Sequence, residues 1–473
     1  MKILEERKNL YRIERSGGMR TDAYFVANER IYEKIFSDDA LKQLVNVAHL
    51  PSLAAPPAAM PDIHFGYGFP IGGVAAFDAE EGLISPGGVG YDINCGVRLI
   101  LTDIEAGDAI PGMQKIINDI FKAVPCGVGS RGKIKAGQKE FEHLLRNGVK
   151  WALDNGYAEQ SDPEKIEDGG CLETDIDTEY SKRSYERGFD EIGTLGAGNH
   201  FIELQKVCEI YDSVHAGEFG LKTGLLAFMI HSGSRGFGYQ ICEETIKELN
   251  RVSGKFGIDY PDRQLIAAPI KSPEGRKYLS LMNMAANYAY VNRQVIDHLT
   301  RRVIREYFPS AGISLFCDIC HNIAKFENLD IKGEKRAVLI HRKGATRALG
   351  PGNELLKGIY SKTGQPVLIP GDFAAGSFVM LGTKEAEELT YSSSCHGAGR
   401  LYSRKEALRT GDLNKLLAEL AGKNIAAVAR SKRTLLEERP GMYKNIDDIA
   451  DSVEGCGICT PLARLRPLGV VKG

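Results

Sequence analysis

The sequence predicts an α+β fold in which the 473 residues form one large mixed domain. Apolar stretches set off by glycine, such as 72–77 and 96–104, are typical of short β-strands joined by tight turns. Apolar residues at helical spacing over 113–124 and along 276–308 predict packing helices. Because no internal repeat or low-complexity linker divides the chain, we expect a single domain over 1–473.

The remaining elements follow in chain order from the same patterns. We expect an irregular approach at 51–61, a helix at 141–153, a polar surface excursion at 161–190, strands at 225–230, 314–320, 338–340 and 367–369, a helix at 243–252, and helices over 405–438. The strands that end at 230 and 320 are each followed at once by a histidine.

Composition narrows the class of protein. The chain has 60 Lys and Arg against 62 Asp and Glu, so a nucleic-acid partner would need a local basic surface. No apolar run approaches the roughly 20 residues of a membrane span, and the first thirty residues lack the apolar core of a signal peptide, so we expect a cytoplasmic protein that contacts no membrane. The ten cysteines should be free thiols. Two CxxC pairs, at 317–320 and 456–459, leave a zinc knuckle as an alternative.

The stretch SPGGVGYDINCGVRL at 85–99 carries a candidate metal site. It places four glycines around Asp92 and Cys95. A carboxylate and a thiol three positions apart can turn toward one ion, while glycine lets the backbone approach closely. Later segments would have to supply the other ligands.

Three histidines extend this candidate ligand set. His200, His231 and His321 each lie beside glycine, serine or asparagine, and two of them follow strand-like runs. A single histidine in such a loop is commonly structural, but three repeats of the context favour a shared site for two ions with a bridging group. Oxygen ligands and open positions suit Mn²⁺, whereas the thiolate and imidazoles also suit Zn²⁺, so ligand type leaves the metal open.

His396 has a different context. It lies in SSSCHGAGR, with Gly397 and Gly399 opening the backbone and Arg400 following. A neutral imidazole can attack phosphorus, and neighbouring N–H groups with a guanidinium can hold phosphate oxygens as charge builds. The same position would also allow His396 to be a sixth metal ligand.

These motifs together resemble the RtcB family of GTP-dependent RNA ligases. The segments that carry the resemblance are MPDIHFGYGFPIGG, GAGNHFIE, HSGSRG, CHNIAKFE, SCHGAGR and the terminal LRPLGVVKG. The resemblance implies stacked β-sheets flanked by helices. It also implies a ligase that joins RNA 3′-phosphate or 2′,3′-cyclic phosphate ends to 5′-hydroxyl ends, in RNA repair or tRNA splicing, through a guanylylated histidine and an RNA-3′-pp-5′-G intermediate.

The resemblance also implies roles for individual residues. His396 would carry GMP taken from GTP, assisted by Asp62, Arg235 and Arg400. The two Mn²⁺ ions would be held by Asp92, Cys95, His200, His231 and His321. Nucleotide contacts would come from Asn199, His200, Phe201, Ile202, Glu203, His321, Asn322, Pro370, Gly371, Asp372, Phe373, Ser377, His396, Gly397, Ala398, Gly399, Tyr443 and Lys472.

Some of these roles compete with plainer interpretations. Glu203 can accept hydrogen bonds from the ring N–H and amino group of guanine, but it could equally be a surface glutamate. Lys472, one residue from the end, would ordinarily be a solvated charge. The basic segments 343–347, 400–409 and 430–433 are candidates for an RNA track, or for solvated faces.

One loop departs from the family pattern. Members commonly carry a GSMGTAS-like loop where this chain reads GDFAAGS, with Asp372 in place of serine and Ala375 in place of threonine. A carboxylate there would repel a nucleotide phosphate, which suggests a divergent subgroup that repairs damaged RNA.

Two other functions stay open from the sequence. One is a metal-dependent phosphoesterase acting on RNA 3′-phosphate ends, and the other is a non-catalytic RNA-binding paralogue. The phosphoesterase has no evident use for His396 and Lys472, and the paralogue would be expected to have lost metal ligands, none of which is missing. An archease-like activating partner is a further expectation from the resemblance.

Overall fold

The computed structural model describes residues 1–331 and 333–473, which form several β-sheets with helices packed on them. The strands in the described residues are β1 (Ile3–Arg7), β2 (Leu10–Ile13), β3 (Ala23–Val26), β4 (Ala58–His64), β5 (Ile71–Asp78), β6 (Leu83–Ile84), β7 (Gly96–Glu105), β8 (Phe201–Ile210), β9 (Leu225–Ser232), β10 (Ala268–Pro269), β11 (Ile313–Cys320), β12 (Asn322–Ile331), β13 (Glu334–Lys343), β14 (Ala345–Arg347), β15 (Pro366–Pro370), β16 (Ser377–Gly382), β17 (Ser393–Cys395), β18 (Ala426–Ala429) and β19 (Cys459–Lys472).

The α-helices alternate with these strands along the chain. They are α1 (Glu29–Tyr32), α2 (Ala40–Val47), α3 (Pro86–Val89), α4 (Ala106–Ala109), α5 (Met113–Ala123), α6 (Gln138–Asn147), α7 (Val149–Asp154), α8 (Lys182–Glu186), α9 (Ser213–Phe219), α10 (Arg235–Val252), α11 (Pro273–Tyr307), α12 (Tyr360–Thr363), α13 (Lys384–Thr390), α14 (Arg404–Thr410), α15 (Leu413–Gly422), α16 (Lys432–Glu437) and α17 (Ile446–Cys456). In the part of the chain that the structure describes, no helix is both long and apolar enough to cross a membrane.

Two large sheets organise the molecule. The first has the strand order β1-β2-β3-β4-β5-β13-β12, and the second has the order β11-β7-β9-β8-β19-β16-β15, with β18 pairing beside β19. Pairing is antiparallel except between β3 and β4 and between β18 and β19. The mixed α+β architecture with sheets flanked by helices is confirmed.

One edge of the second sheet gathers the predicted site residues. Because β11, β7, β9 and β8 are successive antiparallel neighbours, the end of β11, the start of β7, the end of β9 and the start of β8 meet at the same edge. The register confirms this, since Gly96 pairs with Cys320 and His231 lies opposite both Val97 and Phe201. This edge therefore positions loops from four separate parts of the chain.

The long helix α11 supports this edge from behind. Arg293, fully buried, donates from Nη1 to the backbone oxygens of Asn94 (2.7 Å) and Ser232 (3.1 Å). Its Nη2 pairs with Asp318 at 2.8 Å, and Asp318 also accepts from Arg98 at 2.8 Å. Buried charges are tolerated when they are paired and hydrogen-bonded, and here the bonds of Arg293 tie α11 to the chain beside Cys95 and beside His231.

Several elements differ from the sequence expectation. The helix predicted at 141–153 is two helices, α6 and α7, because Gly148 at φ 51° breaks it. The predicted irregular segment at 51–61 becomes strand β4 from Ala58 onward. The helices expected over 405–438 are interrupted by strand β18. The polar segment 161–190 buries Glu167 beside Lys325, and all ten cysteines are free thiols.

Candidate active site

The five predicted metal ligands converge at the shared sheet edge. Cys95 Sγ lies 3.3 Å from His200 Nε2 and 3.2 Å from His231 Nε2. His231 Nε2 is 3.2 Å from His321 Nε2, and His200 Nε2 is 2.9 Å from Asp92 Oδ2. The structure thus brings these five side chains together, although their role as ligands stays a prediction.

The chemistry of this donor set fits a bound divalent cation. Burial lowers the pKa of His231 and of His321 well below the ordinary value for histidine, so both rings are neutral. His200 bonds Leu195 O through Nδ1 at 2.9 Å, which leaves its Nε2 lone pair toward Cys95. Lone pairs this close repel one another unless a cation lies among them. Burial and the Asp92 charge raise the pKa of Cys95, as expected for a thiol whose thiolate form needs a metal.

A tight turn between β9 and α10 fixes the carboxylate of Asp92. Its Oδ1 accepts from the backbone N–H of Ser234 at 2.9 Å and from the Ser234 hydroxyl at 3.3 Å. A Cβ on Gly233 would lie only 2.3 Å from the same Oδ1, so only glycine fits there. Burial alone would raise the pKa of Asp92, but the charges of neighbouring groups, Arg235 among them, outweigh it and hold the carboxyl ionised.

His396 faces this cluster and is held by Asp62. His396 Nδ1 lies 2.6 Å from Asp62 Oδ2, which also accepts from the His396 backbone N–H at 3.1 Å. The carboxylate fixes the tautomer with Nδ1 protonated and leaves Nε2 with a free lone pair. The His396 and His321 ring centroids are 4.7 Å apart. Gly399, at φ 71°, lets the loop close over Asp62, because a Cβ would lie 2.2 Å from Asp62 O.

A cavity of about 340 Å³ opens in front of His396 and the cluster. Among the predicted residues, its walls include Asp92, Cys95, Asn199, Phe201, His231, His321, Asn322, Pro370, Gly371, Asp372, His396, Gly397, Ala398, Gly399, Arg400, Tyr443 and Lys472. This volume is in the usual range for a site that binds a small molecule.

Lys472 reaches the cavity because the C-terminal strand is interior to the sheet. In β19, Lys472 pairs in register with Phe201, and its Nζ lies 5.2 Å from the Phe201 ring centroid. Burial lowers the pKa of Lys472, while Glu438 and Glu203 counteract that effect. The plainer interpretation of Lys472 as a solvated terminal charge is wrong.

Glu203 lies behind the cavity wall and is not on the surface. Its Oε2 accepts from Gln205 Nε2 at 2.8 Å, and the same Nε2 is 3.0 Å from Ser377 Oγ. Burial raises the pKa of Glu203 to about 7, although Lys472 and Gln205 partly offset it. Glu203 and Ser377 are therefore adjacent, as their shared predicted role requires.

Other predicted residues lie outside the cavity walls. Ile202 packs in the apolar cluster beneath the sheet, and Phe373 packs against α15 residues such as Leu416. Arg235, at φ 55°, donates to Thr194 Oγ1 (2.9 Å) and Gly127 O (3.0 Å). Such a backbone conformation is strained for arginine and is typical of functional sites.

The carboxylate of Asp372, where the sequence departs from the family pattern, is engaged by its own loop. Oδ1 accepts from the N–H groups of Ala374 and Ala375, both at 2.9 Å, and Oδ2 accepts from Gly441 N at 3.4 Å. These bonds satisfy much of the hydrogen-bonding capacity of the Asp372 carboxylate. The repulsion expected from the sequence is therefore reduced by the geometry of the GDFAAGS loop.

Sequence reasoning missed a buried carboxylate in this wall. Glu438 accepts from Arg400 Nη1 at 3.0 Å and from the Tyr443 hydroxyl, and Arg404 Nε lies 3.6 Å away. Arg400 stacks on Tyr443 at 5.1 Å. Only the position of Glu438, five residues before Tyr443, could have drawn attention to it. His64 lines the cavity without having been singled out, and Lys343 and Arg404 line it although they were named only within the basic segments 343–347 and 400–409.

The basic segment 343–347 is not a surface track. Arg347 is buried and lies 3.1 Å from Glu167 and 3.2 Å from Asp168. Lys343 is buried and donates to Tyr67 O (2.6 Å) and Phe69 O (2.9 Å). The prediction that this segment offers solvent-facing charge to RNA is wrong, because its charges are used inside the fold.

The fold and site define an α+β protein with a buried Asp, Cys and histidine cluster beside a cavity that contains a histidine–carboxylate pair. Residues 43–473 match the family model described as tRNA-splicing ligase RtcB. The chain is therefore a member of the RtcB family.

Relatives in this family are similar over most of their length. The tRNA-splicing ligase RtcB of Archaeoglobus fulgidus is 44% identical over 460 residues, covering 96% of this chain and 95% of the relative. That of Thermococcus kodakarensis is 43% identical with the same coverage. The RNA-splicing ligase RtcB of Mycobacterium tuberculosis is 41% identical over 434 residues, covering 91% of this chain and all of the relative.

Proposed function

We propose that this chain is a GTP-dependent RNA ligase that joins RNA 3′-phosphate or 2′,3′-cyclic phosphate ends to 5′-hydroxyl ends. The observation that carries the proposal is the pairing of His396 Nδ1 with Asp62 at 2.6 Å at the wall of a cavity that also holds the Asp92–Cys95 cluster. Membership of a family whose members are named RNA-splicing ligases supports it.

In the first step His396 is the nucleophile. Asp62 holds the Nδ1 proton, so the Nε2 lone pair attacks the α-phosphorus of GTP. The bond from that phosphorus to the bridging oxygen breaks, and pyrophosphate leaves as the phosphoramidate forms. The negative charge of Asp62 also stabilises the positive charge that the ring acquires during the attack.

The nucleotide is selected at the wall beside the nucleophile. Glu203 accepts from the guanine ring N–H and amino group, and its carboxyl is held by Gln205, which also donates to Ser377. Phe201, Lys472 and Tyr443 form the adjoining wall. The cation of Lys472 balances phosphate charge, and Arg400 and Arg404 add to it.

Two further steps complete the joining of RNA. An oxygen of the RNA 3′-phosphate attacks the guanylyl phosphorus, which releases His396 and gives RNA-3′-pp-5′-G. The 5′-hydroxyl then attacks the RNA phosphorus, loses its proton, and displaces GMP. Two divalent ions, Mn²⁺ in this proposal, would be held by Asp92, Cys95, His200, His231 and His321, and would neutralise phosphate charge and activate hydroxyl or water.

The alternatives have less support from the geometry. A phosphoesterase on RNA 3′-phosphate ends would use the metal cluster but has no need for the pairing of His396 with Asp62. A non-catalytic paralogue would be expected to have lost ligands, yet all five side chains are present and each contacts at least one of the others. A subgroup active in RNA repair and an archease-like activator both stay predictions.

Labelling with GTP tests the proposal. Incubation with GTP carrying a labelled α-phosphate and Mn²⁺ should give an acid-labile, alkali-stable adduct in the wild type and none in His396→Ala. The matched control is His215→Ala, which removes another histidine held by an aspartate at 2.6 Å, on helix α9 away from the cavity. Labelling that persists in His396→Ala, or that is lost equally in His215→Ala, would refute the assignment.

Ligation is measured on the same preparations. The wild type should join an RNA 3′-phosphate strand to a 5′-hydroxyl strand only with GTP present. Release of inorganic phosphate from the 3′ end without joining would instead favour the phosphoesterase.

A further inference from the structure

A row of side chains in contact with one another begins at the cavity wall and consists of Tyr67, Tyr91, Tyr239 and Arg187. We name this row the tyrosine ladder. Tyr67 and Tyr91 meet edge to face, with centroids 5.7 Å apart and planes at 71°. Tyr91 and Tyr239 are stacked at 4.9 Å and 28°. The guanidinium of Arg187 lies over the Tyr239 ring, 5.2 Å from its centroid.

The ladder runs from the active site to solvent. Tyr67 and Tyr91 line the cavity, and Tyr91 immediately precedes Asp92 of the metal cluster. Tyr239 belongs to helix α10 and is 43% exposed, which is unusual for a large aromatic side chain in an apolar stack. The ladder therefore connects the reacting centre with the outer surface.

The charge at the outer end of the ladder is positive and weakly held. Within the described residues, Arg187 forms no ion pair; its Nη1 donates to the neutral amide of Gln240 at 3.2 Å. Glu243, on helix α10 with Tyr239, pairs with Lys247 at 2.9 Å, and the charge of Arg187 acts on it without an ion pair.

We propose that the tyrosine ladder is a base-stacking track for a single RNA strand entering the cavity. This proposal rests on the proposed function. Single-stranded nucleic acid is commonly held by aromatic faces on which bases stack and by cations that meet the backbone. On Tyr239 the planar guanidinium of Arg187 occupies the place that a base would take. Exchange costs one neutral hydrogen bond and the contact of the guanidinium with the Tyr239 ring, and it frees Arg187 to meet a phosphate of the same strand.

The chemistry of the tyrosine ladder predicts which features of an RNA strand it recognises. Stacking on a phenol ring is tolerant of base identity, so the track should bind any sequence. It should require a base near the reacting end, because Tyr91 lies next to the metal cluster. Either the 3′-phosphate strand or the 5′-hydroxyl strand has this chemistry, and the experiment distinguishes them.

Strand binding by a Tyr239→Ala variant tests the track. Affinities are measured with Mn²⁺ for two short RNAs, one ending in a 3′-phosphate and one in a 5′-hydroxyl, each with 2-aminopurine near that end. Loss of one stacked base should weaken binding of one strand roughly tenfold and abolish its fluorescence change. Tyr239→Phe, which keeps the ring, should retain both.

The matched control is Tyr211→Ala. Tyr211 is 46% exposed and stacks on Phe378 with centroids 6.1 Å apart, but it lies outside the cavity walls. Its removal should leave RNA affinity unchanged. RNA affinities are compared between preparations in which the same fraction of the protein can take up GMP. Misfolded protein is then not counted as a loss of RNA binding.

An abasic nucleotide, placed where 2-aminopurine changes its fluorescence on binding, separates base stacking from other effects of the substitution. It should weaken wild-type binding by the same factor as Tyr239→Ala and cause no further loss in that variant. Equal affinities of wild type and Tyr239→Ala would overturn the track, and so would a loss that persists in full on the abasic strand. Failure of all preparations to react with GTP would count against the proposed function instead, while ring-dependent strand binding would still be measurable.

Discussion

Glu438 shows how one buried carboxylate can organise a binding wall. Its side chain is fully buried and meets Arg400 and Tyr443, while Lys472 contributes charge nearby. Burial alone would raise the pKa of Glu438, but Lys472 and Arg400 outweigh it and keep the carboxyl ionised. We infer that Glu438 is a positioning residue that holds Arg400 and Tyr443 toward the nucleotide.

Replacing Glu438 by glutamine should loosen this wall. Glu438→Gln keeps the shape but removes the charge that pairs with Arg400, so it should cost about 2 kcal/mol in free energy of unfolding. It should also raise the GTP concentration for half-maximal guanylylation about tenfold. Urea unfolding and guanylylation kinetics measure the two effects.

The adjacent Glu437 provides the control for that substitution. Its side chain pairs at 2.7 Å with Arg433, which is largely exposed, so Glu437→Gln should change stability by less than about 0.5 kcal/mol. If both variants behave alike, the role of Glu438 is not positional.

At the scale of elements, the turn from β9 to α10 joins fold and site. Strand β9 delivers His231, and the turn that follows wraps the carboxylate of Asp92 with Ser234 N–H. The turn therefore follows directly on the strand that carries His231 and also holds the carboxylate of Asp92. Its geometry depends on the absence of a side chain at Gly233.

Gly233→Ala should impair metal binding more than folding. The new Cβ would lie 2.3 Å from Asp92 Oδ1, so the carboxylate must move away from His200. We expect Mn²⁺ affinity to fall at least tenfold, as measured by calorimetric titration, because a ligand is displaced. Gly217→Ala, on helix α9 with open space at the Cβ, should leave Mn²⁺ affinity unchanged. Equal affinities in all three proteins would contradict this account.

The cluster around Cys95 could be predicted from the sequence because the patterns that indicate it are local. His231 and His321 follow apolar strands, and antiparallel neighbours bring such ends to one edge. Strand β19 escaped detection because Pro461 and Pro467 interrupt its pattern. The structure accommodates Pro467 at a register shift between β19 and β8.

The rest of the site depends on contacts between distant parts of the chain. The Ala-rich β18 has little strand propensity and exists because it pairs with β19. Glu438, Glu167 and Arg347 are charged residues in polar surroundings, which usually indicate surface. Their burial depends on partners far away in sequence, such as Lys325 for Glu167 and Arg400 for Glu438.

For the whole molecule, the buried Glu203 makes stability depend on pH. Its pKa is about 7 in the fold against an ordinary value of 4.5, so between these values the folded state holds a proton that the unfolded state has lost. Stability from this group therefore falls as pH rises from 4.5 to 7, by about 3 kcal/mol.

Glu203→Gln should remove this dependence. Relative to the variant, the wild type should lose about 3 kcal/mol of unfolding free energy between pH 4.5 and 8, as measured by urea denaturation. Glu209→Gln, exposed on the same strand β8, is the control. A constant difference between wild type and Glu203→Gln across this range would show that burial does not perturb Glu203.

The proposed metal cluster should stabilise the whole molecule when it binds Mn²⁺, because its five side chains come from four separate parts of the chain. A ligand that binds only the folded state at 100 times its dissociation constant adds about 2.7 kcal/mol. We therefore expect Mn²⁺ to raise the thermal unfolding midpoint of the wild type but not of Cys95→Ala. The control is Cys317→Ala, a buried cysteine of the 317–320 CxxC pair outside the cluster. This variant should be less stable than the wild type because it loses packing, yet it should keep the full Mn²⁺ shift. A shift retained in Cys95→Ala and lost in Cys317→Ala would place the ion at the CxxC pair instead.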